Sequence, residues 1–494
     1  MLIISLLSAP FLCYYFPCEK AEIMKSPSRR HRYSLRPMWA ELRGRFYPFR
    51  LLADMAGVLD MVGRWDRTEE IYRRNLEAAR AGGDRELMAD SCGNLADLLI
   101  KKGEFDQALP LIGESREIYS GSGNKRGLAD ALTQLGLVHY HRGDIHPAQE
   151  NYKKLLQLAE ELDDNALRSK AYSNFGSLYF NLGQFDQAAE YMLKDLELCR
   201  LMGDKRGESF ALNNIGVVCM VRGDLAGAEK YFRQKLEMSK QLGDKYGLGF
   251  VYGNLGELFF CRGDFQNALE YCRLEEDCSR ELGDKEGLIH AYNTLGMACG
   301  TMGDAQNSEN YYFKQLEIAR EIGHKRSCSM ALVGLADLKK MLKEYGPAGE
   351  YYSQAIALGR ELEAPSLLCG YLQALAELRL LQEKRVEAQQ LNREALEMAE
   401  RVDNREYVFK ARLLDLKLSA AADPAGAEQG ILSLLDDGQI GPPEKASILY
   451  ELFKLTGGED YRGQARESYQ ELFRQSPGQE ARQRLEELSG GKPE

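Results

Sequence analysis

The side chains that could do chemistry in this sequence are first of all its cysteines, and their spacing limits what they could do. The chain has eleven of them. None forms a C-x-x-C pair, and the closest pairs, Cys13 with Cys18 and Cys272 with Cys278, lack the spacing and the histidine partners of a zinc site. The odd count and the positions among apolar residues favour reduced thiols that fill space between helices in a cytoplasmic protein. We therefore predict no structural metal.

Histidines and catalytic motifs add no site to this sequence. His139, His141 and His146 form one local cluster, but no cysteine or carboxylate is interleaved at ligand spacing, which favours polar surface positions. The sequence contains no G-x-x-x-x-G-K-[ST], G-x-S-x-G or H-E-x-x-H motif, and no G-x-G-x-x-G that follows a strand. The sequence thus predicts neither an enzymatic activity nor a cofactor.

The charge balance excludes one class of partner. The chain of 494 residues carries a net charge of -11 and has a pI near 5.4. A general nucleic-acid binder would need an excess of lysine and arginine to neutralise phosphates. We expect a protein partner and no nucleic acid.

The N-terminal segment is apolar and then basic. Residues 1–16 are uncharged, but the run is short, is interrupted by a proline and has no basic residue before it, unlike a membrane span or a signal peptide. Residues 25–50 carry a local charge of +7, which would keep the rest of the chain cytoplasmic if residues 1–16 did anchor in a membrane. We predict that residues 1–45 are a disordered leader or an over-extended start. In the second case the initiator would be Met24, Met38 or Met55.

A repeat of forty residues organises most of the chain. A small residue, which we call the anchor, recurs within apolar stretches at Ala56, Ala96, Gly136, Gly176, Gly216, Gly256, Gly296, Ala336 and Ala376. A second glycine follows seven residues later at Gly63, Gly103, Gly143, Gly183, Gly223, Gly263 and Gly303, where the last two units have Lys343 and Glu383 instead. Nine units without insertions or deletions predict a solenoid.

Each unit is predicted to be two antiparallel helices, because apolar residues follow i, i+3, i+4 spacing. In the fourth unit, helix A is expected over 171–183 and helix B over 184–200, with a turn at 203–205 that closes the unit. The Gly-Asp-Lys sequence of this turn pairs a helix C-cap glycine with an aspartate that can cap the next helix. The small residues Gly176 and Ala188 are expected where the two helices approach.

These residues resemble a known family. Leu135-Gly136, an aromatic three residues after the anchor as at Tyr179, Ala148 and the aromatic Tyr152 are similar to the tetratricopeptide repeat, whose usual period is 34 residues. Units of forty residues with Asn-x-Gly in helix A also resemble the Pins-type repeats of G-protein-signalling modulators and their bacterial relatives. The resemblance covers residues 46–401 and implies an all-α fold, a right-handed solenoid of antiparallel helix pairs.

The rest of the chain is predicted to close this solenoid. Residues 46–401 form the nine units, and residues 402–440 form a degenerate tenth helix pair. Residues 441–494 form a helical cap that covers the last apolar face, followed by a polar tail from residue 476.

The resemblance also implies where a partner would bind. In such solenoids helix A lines a concave groove, and the family's pattern places groove-facing residues six and three before the anchor and one, four and five after it. Together with asparagines two before the anchor, the candidate groove residues are Asn174, Phe180, Phe210, Asn213, Asn214, Val217, Met220, Phe250, Asn254, Glu257, Phe260 and Asn293.

Two alternatives remain open for these residues. The phenylalanines either line the groove or pack between helices as ordinary core. The asparagines either satisfy backbone groups between helices or hold the backbone of an extended peptide, since an amide both donates and accepts.

The function predicted from this pattern is a non-catalytic scaffold that binds a peptide or helical segment of a partner protein in its groove. The carboxylate clamp known in the family is not matched, because none of the residues at its first lysine position, such as Ser173 and Asn213, is basic. The alternative is a regulatory or sensory module of a signalling enzyme system, with a kinase or cyclase as partner. The sequence leaves the oligomeric state open.

Overall fold

The computed structural model describes residues 52, 56, 65–362, 364–436, 440–475 and 479–490. These residues form helices joined by short turns, and no strand occurs among them. The predictions for residues 1–45, and for most of the first forty-residue repeat up to residue 64, lie outside this part of the chain. None of the helices described is both long enough and apolar enough to cross a membrane.

The chain divides into two compact units, residues 1–161 and 162–494. The described helices of the first compact unit are α1 (Trp65–Gly82), α2 (Arg85–Lys101), α3 (Phe105–Ser122), α4 (Lys125–Arg142) and α5 (Ile145–Glu161). They alternate as helix B of the first repeat and then helices A and B of the second and third repeats.

The second compact unit has the same alternation of helices A and B, beginning with helix A of the fourth repeat. Its repeats comprise α6 (Asn165–Asn181), α7 (Phe185–Met202), α8 (Lys205–Val221), α9 (Leu225–Leu242), α10 (Lys245–Cys261), α11 (Phe265–Leu282), α12 (Lys285–Thr301), α13 (Ala305–Glu321), α14 (Lys325–Met341), α15 (Tyr345–Glu361), α16 (Pro365–Leu381) and α17 (Arg385–Arg401). Its remaining helices are α18 (Arg405–Ser419), α19 (Pro424–Leu434), α20 (Pro442–Thr456), α21 (Glu459–Gln475) and α22 (Gln479–Leu488). Each unit is an array of antiparallel helix pairs, so the all-α fold predicted from the sequence is confirmed.

The small anchor residues make room for a large side chain of helix B. A Cβ placed on Gly216 would lie 2.5 Å from the ring of Phe232, and one on Gly136 would lie 2.2 Å from the ring of Tyr152. Phe232 and Tyr152 are themselves completely buried. The sixteen-residue offset between anchor and aromatic therefore sets how closely helices A and B pack.

The second glycine ends helix A in a left-handed conformation. Gly183 and Gly263 have φ angles of 70° and 76°, a region that favours glycine because it has no Cβ. Lys343 and Glu383, which replace the glycine in the last two repeats, keep the same conformation with φ at 62°. The array thus imposes the turn whether or not the residue suits it.

The Gly-Asp-Lys turns form the caps that the sequence predicts. Gly203 ends α7 in the left-handed conformation, and the carboxylate of Asp204 accepts hydrogen bonds from the amides of Arg206 and Gly207 at the start of α8. Asp244 and Asp284 cap α10 and α12 in the same way.

Two local predictions differ from the structure. Helix A of the fourth repeat begins at Asn165, six residues before the expected start, because Asp164 caps it there. The segment expected to be a polar tail contains α22, whose Ala481 and Leu488 are buried against α20 and α21. These apolar contacts, with hydrogen bonds from Tyr450 to Glu487 and from Arg462 to the carbonyl of Leu488, dock a helix whose residues are mostly charged or polar.

Candidate functional site

The predicted site lies on helix A of the fourth to seventh repeats, which are α6, α8, α10 and α12. We call the exposed surface of these helices the A face and define it by Phe210, Asn213, Phe250, Glu257 and Asn293. Phe210 and Asn213 are three residues apart on α8, and Phe250 and Glu257 are seven residues apart on α10, so each pair shares one side of its helix.

Two of the predicted phenylalanines are open to solvent. Phe210 is 57% exposed and Phe250 is 49% exposed, although both belong to helices packed on two sides. The ring of Phe250 contacts only Tyr246 among the aromatic residues described, in an edge-on arrangement with centroids 4.9 Å apart. These two side chains are available to a partner.

The other predicted apolar residues of the site belong largely to the core. Phe180 and Phe260 each pack against the first residue of the following helix B, with ring centroids 5.6 Å from Phe185 and 5.7 Å from Phe265. Val217 and Met220 pack against the buried cluster around Phe232. For these four residues the structure favours the alternative in which they pack between helices.

A row of buried polar residues on helix B was missed by the sequence analysis. It stands nineteen residues after the anchor, at Asp195, Lys235, Glu275 and Gln315, and we call it the B row. All four are among the buried polar residues of the structure. Sequence analysis could have found them, because charged residues recur every forty residues within the apolar stripe of helix B.

Lys235 connects the B row to the A face. Its ammonium donates a hydrogen bond to Oδ1 of Asn213 at 2.9 Å and lies 5.6 Å from the ring centroid of Phe250. The same Oδ1 accepts a hydrogen bond from the amide of Asn254 at 2.6 Å. Burial lowers the pKa of Lys235 to about 8, because a charged ammonium loses hydration there.

Glu275 forms the next polar cluster. Its carboxylate is 2.9 Å from Nδ1 of His290, and Glu257 lies 3.8 Å from Nε2 on the other side of the imidazole. Burial alone would lower the pKa of His290, but the two carboxylates outweigh it and raise the pKa to about 10. Burial raises the pKa of Glu275, and the hydrogen bond to His290 opposes that shift. With both glutamates ionised, the cluster carries one net negative charge.

The two ends of the B row are less strongly paired. Asp195 accepts hydrogen bonds from Ser169 and from the thiol of Cys199, and burial raises its pKa. Gln315 donates to Asn293 at 3.5 Å, while its own Oε1 is buried without a hydrogen-bond partner among the described residues. The A face therefore rests on an acidic, a basic, an acidic and a neutral side chain in succession.

Comparison with known proteins identifies the repeat. A model described as "Tetratricopeptide repeat" matches residues 127–200 and 208–273, and a second with the same description matches residues 289–322. The chain is a tetratricopeptide repeat protein. The matched ranges contain all the predicted site residues, so the A face is a surface of tetratricopeptide units.

Relatives outside these models share the fold or a short stretch of sequence. The Tonsoku-like protein of Drosophila melanogaster is 27% identical over 94 residues, which span 19% of this chain and 7% of that protein. The apo form of the quorum sensor NprR from B. thuringiensis is similar in structure, with a TM-score of 0.50 and 15% identity, and covers 71% of this chain and 98% of its own. A Rap protein solved in complex with Competence and Sporulation Factor has a TM-score of 0.49 at 15% identity, covering 81% of this chain and 99% of its own. At such identity the likeness to NprR shows the tetratricopeptide fold alone.

The asparagines two residues before the anchors connect neighbouring tetratricopeptide units. Asn254 reaches Asn213 on the preceding helix A, and in the first compact unit Gln134 likewise donates to the carbonyl of Gly93 at 3.0 Å. Nδ2 of Asn174 is buried and unpaired within the described residues. Asn214 is half-buried and makes no side-chain hydrogen bond there. The geometry favours a structural role for Asn254.

The reactive side chains of the tetratricopeptide units form no chemical centre. The nine described cysteines form no disulfide with one another, and burial raises the pKa of each thiol. No group of three histidine, cysteine or acidic side chains placed to hold a metal occurs in the described part of the chain.

Proposed function

We propose that this protein is a non-catalytic interaction module whose A face binds a peptide or helical segment of a partner protein. The observation that carries the proposal is that Phe210 and Phe250 are exposed on neighbouring A helices, with the buried ammonium of Lys235 5.6 Å from the Phe250 ring. Aromatic side chains that are exposed on a rigid helix are the usual anchors of protein interfaces. They bring a large contact area at a low cost in side-chain entropy.

The buried charged residues support the same proposal, because their burial lowers the stability of the fold. Burying an ammonium or a carboxylate disfavours folding unless the charge is well paired. Lys235 and Asp195 have only neutral hydrogen-bond partners in the described residues. Residues that lower stability in this way are common at functional surfaces, where selection acts on binding.

The test is affinity capture with the full-length chain. Tagged wild-type protein and the variant Phe210→Ala/Phe250→Ala are incubated with lysate of the source organism, and bound proteins are quantified by mass spectrometry. We expect at least one protein to be captured about tenfold less by the variant, as is typical for the loss of interface anchors.

A matched control removes exposed apolar side chains elsewhere. Leu193→Ala/Leu201→Ala alters two exposed leucines of α7, and circular dichroism of both variants checks their helix content. Capture of the partner by this control should equal that of the wild type. If both double variants capture every protein as well as the wild type does, the A face is not the binding surface.

A further inference from the structure

Lys235 is the one basic member of the B row, and the groups that contact it directly within the described residues are neutral. Its exposed fraction is 7%, and its contacts are the Asn213 amide oxygen and the Phe250 ring. An ammonium has three donors, and one of them is used by Asn213. No ion pair to Lys235 is formed in this part of the chain.

The nearest carboxylate that influences Lys235 already has a structural task. Asp244 raises the pKa of Lys235 through space, but its side chain caps α10 by accepting a hydrogen bond from the amide of Gly247 at 3.0 Å. Glu275 is forty residues further along the B row and is occupied by His290. Within the described residues, no carboxylate therefore forms an ion pair with this ammonium.

The surroundings also limit which anion would fit. The exposed ring of Phe250 lies 5.6 Å from the ammonium, the exposed Phe210 stands three residues before Asn213 on α8, and the flanking members of the B row, Asp195 and Glu275, are acidic. A polyanion such as a nucleic acid would meet these carboxylates, whereas a single carboxylate between apolar side chains would not.

We propose that Lys235 receives the carboxylate of an aspartate or glutamate in the bound partner segment, with apolar residues of that segment seated on Phe210 and Phe250. This inference rests on the proposed function, since it names the chemistry of the segment that the A face binds. A charge-assisted hydrogen bond beside the ring of Phe250 would give the site specificity as well as affinity. Asn213 holds the ammonium in place for this contact.

The experiment uses a displayed library of random twelve-residue peptides, selected against the immobilised full-length chain. Selection is run on the wild type, on Lys235→Met, which keeps the length of the side chain without its charge, and on Phe250→Ala. We expect wild-type selection to enrich peptides with an acidic residue next to apolar ones, and Phe250→Ala to bind these peptides at least tenfold more weakly.

The acidic residue is then tested in the best peptide by changing it to the matching amide. The acidic peptide should bind Lys235→Met at least tenfold more weakly than the wild type, whereas the amide peptide should bind the two proteins within twofold of each other. Lys235→Arg, which restores a charge, should recover part of the preference for the acidic peptide.

The two proposals fail in different ways. If peptides that depend on Phe250 carry no acidic residue, or if the acidic preference persists in Lys235→Met, the inference about Lys235 is wrong and the proposed function stands. If no peptide depends on Phe250, both are wrong. Hydrogen exchange of α8 to α10 in Lys235→Met, compared with the wild type, confirms that the variant keeps its fold.

Discussion

The central and the distal repeats of the second compact unit have the same backbone plan but different buried rows. In the fourth to seventh repeats the B row is Asp195, Lys235, Glu275 and Gln315. In the eighth and ninth repeats the same register holds Ala355 and Ala395, both buried. Alanine is therefore sufficient for two helix pairs to pack, and the polar residues of the central repeats are not required by the fold.

The helix A side differs in parallel. The register of the exposed Phe210 and Phe250 contains Met330 and then Gly370 in the distal repeats, and the register of Asn213 contains Val333, which packs against the buried cluster around Tyr352. The central repeats thus combine exposed aromatic side chains with buried charged side chains, whereas the distal repeats have neither. We take this as the mark of a binding surface on an otherwise structural array.

The largest expected effect comes from moving the charge of the central repeats into the distal ones. Ala355→Lys places an ammonium in a register where Val333 replaces the amide of Asn213. With no acceptor for the buried charge, we expect the free energy of unfolding to fall by about 4 kcal/mol. Chemical denaturation measures this loss. Ala355→Met controls for added volume, and equal losses for the two variants would show that Asn213 does not matter for tolerance of the charge.

The next effect concerns the pairing of Glu275. His290→Leu removes the donor to a carboxylate that is only 3% exposed, and we expect a loss of about 2 kcal/mol in unfolding free energy. Glu257→Gln changes the half-exposed partner on the other side of the imidazole and should cost much less. Denaturation of both variants tests the order, and a larger effect at Glu257 would contradict it.

Removing the charge at Lys235 should instead stabilise the protein. The pKa of Lys235 is about 8 in the folded chain and about 10.4 in an unfolded one. Between pH 8 and pH 10.4 the unfolded state binds more protons than the folded state. The loss of unfolding free energy caused by the buried ammonium is therefore complete below pH 8 and vanishes as the pH rises to 10.4. The free energy of unfolding of Lys235→Met should therefore be about 2 kcal/mol higher than that of the wild type at pH 7.

The pH dependence is the check on this prediction. Denaturation of the wild type and Lys235→Met at pH 7 and pH 10 should show the advantage of the variant shrinking at the higher pH. An advantage that is unchanged between the two pH values would mean that packing, rather than charge, separates the two proteins.

The smallest effect lies in the turns of the distal repeats. Lys343 and Glu383 adopt φ of 62°, where the central repeats have glycine. Replacing either by glycine should raise the unfolding free energy by roughly 0.5–1 kcal/mol, since relief of strain exceeds the added entropy of the unfolded chain. Gly303→Ala, made at the same turn with φ of 84°, should lower it. Thermal melts can measure both, and a less stable glycine variant or a more stable Gly303→Ala would contradict the argument.

Much of the fold could be predicted from the sequence because it depends on local rules. The left-handed turn at Gly203 and the cap at Asp204 need only a glycine and a short acidic side chain at fixed positions. The docking of α22 could not be predicted in this way, because it depends on how the few apolar residues of a mostly polar helix pack against α20 and α21.

The candidate site was predictable only in part. Spacing placed Phe210 and Phe250 on one side of helix A, but exposure separates them from Phe180 and Phe260, which the next helix covers. The hydrogen bond between Asn213 and Lys235 joins two helices, and its existence depends on how closely they pack. A search for charged residues within apolar stripes, applied to every helix, would have found Lys235 and Glu275.

Site-specific photo-crosslinking tests directly whether the A face of the central repeats contacts the partner. A photo-reactive phenylalanine analogue is placed at Phe250, at its distal counterpart Met330 or at Leu201 on α7, in otherwise unchanged full-length protein. We predict that irradiation in lysate yields a covalent adduct with one partner protein from position 250, and little or none from positions 330 and 201. Adducts of equal yield from all three positions, or adducts from position 201 alone, would contradict the account.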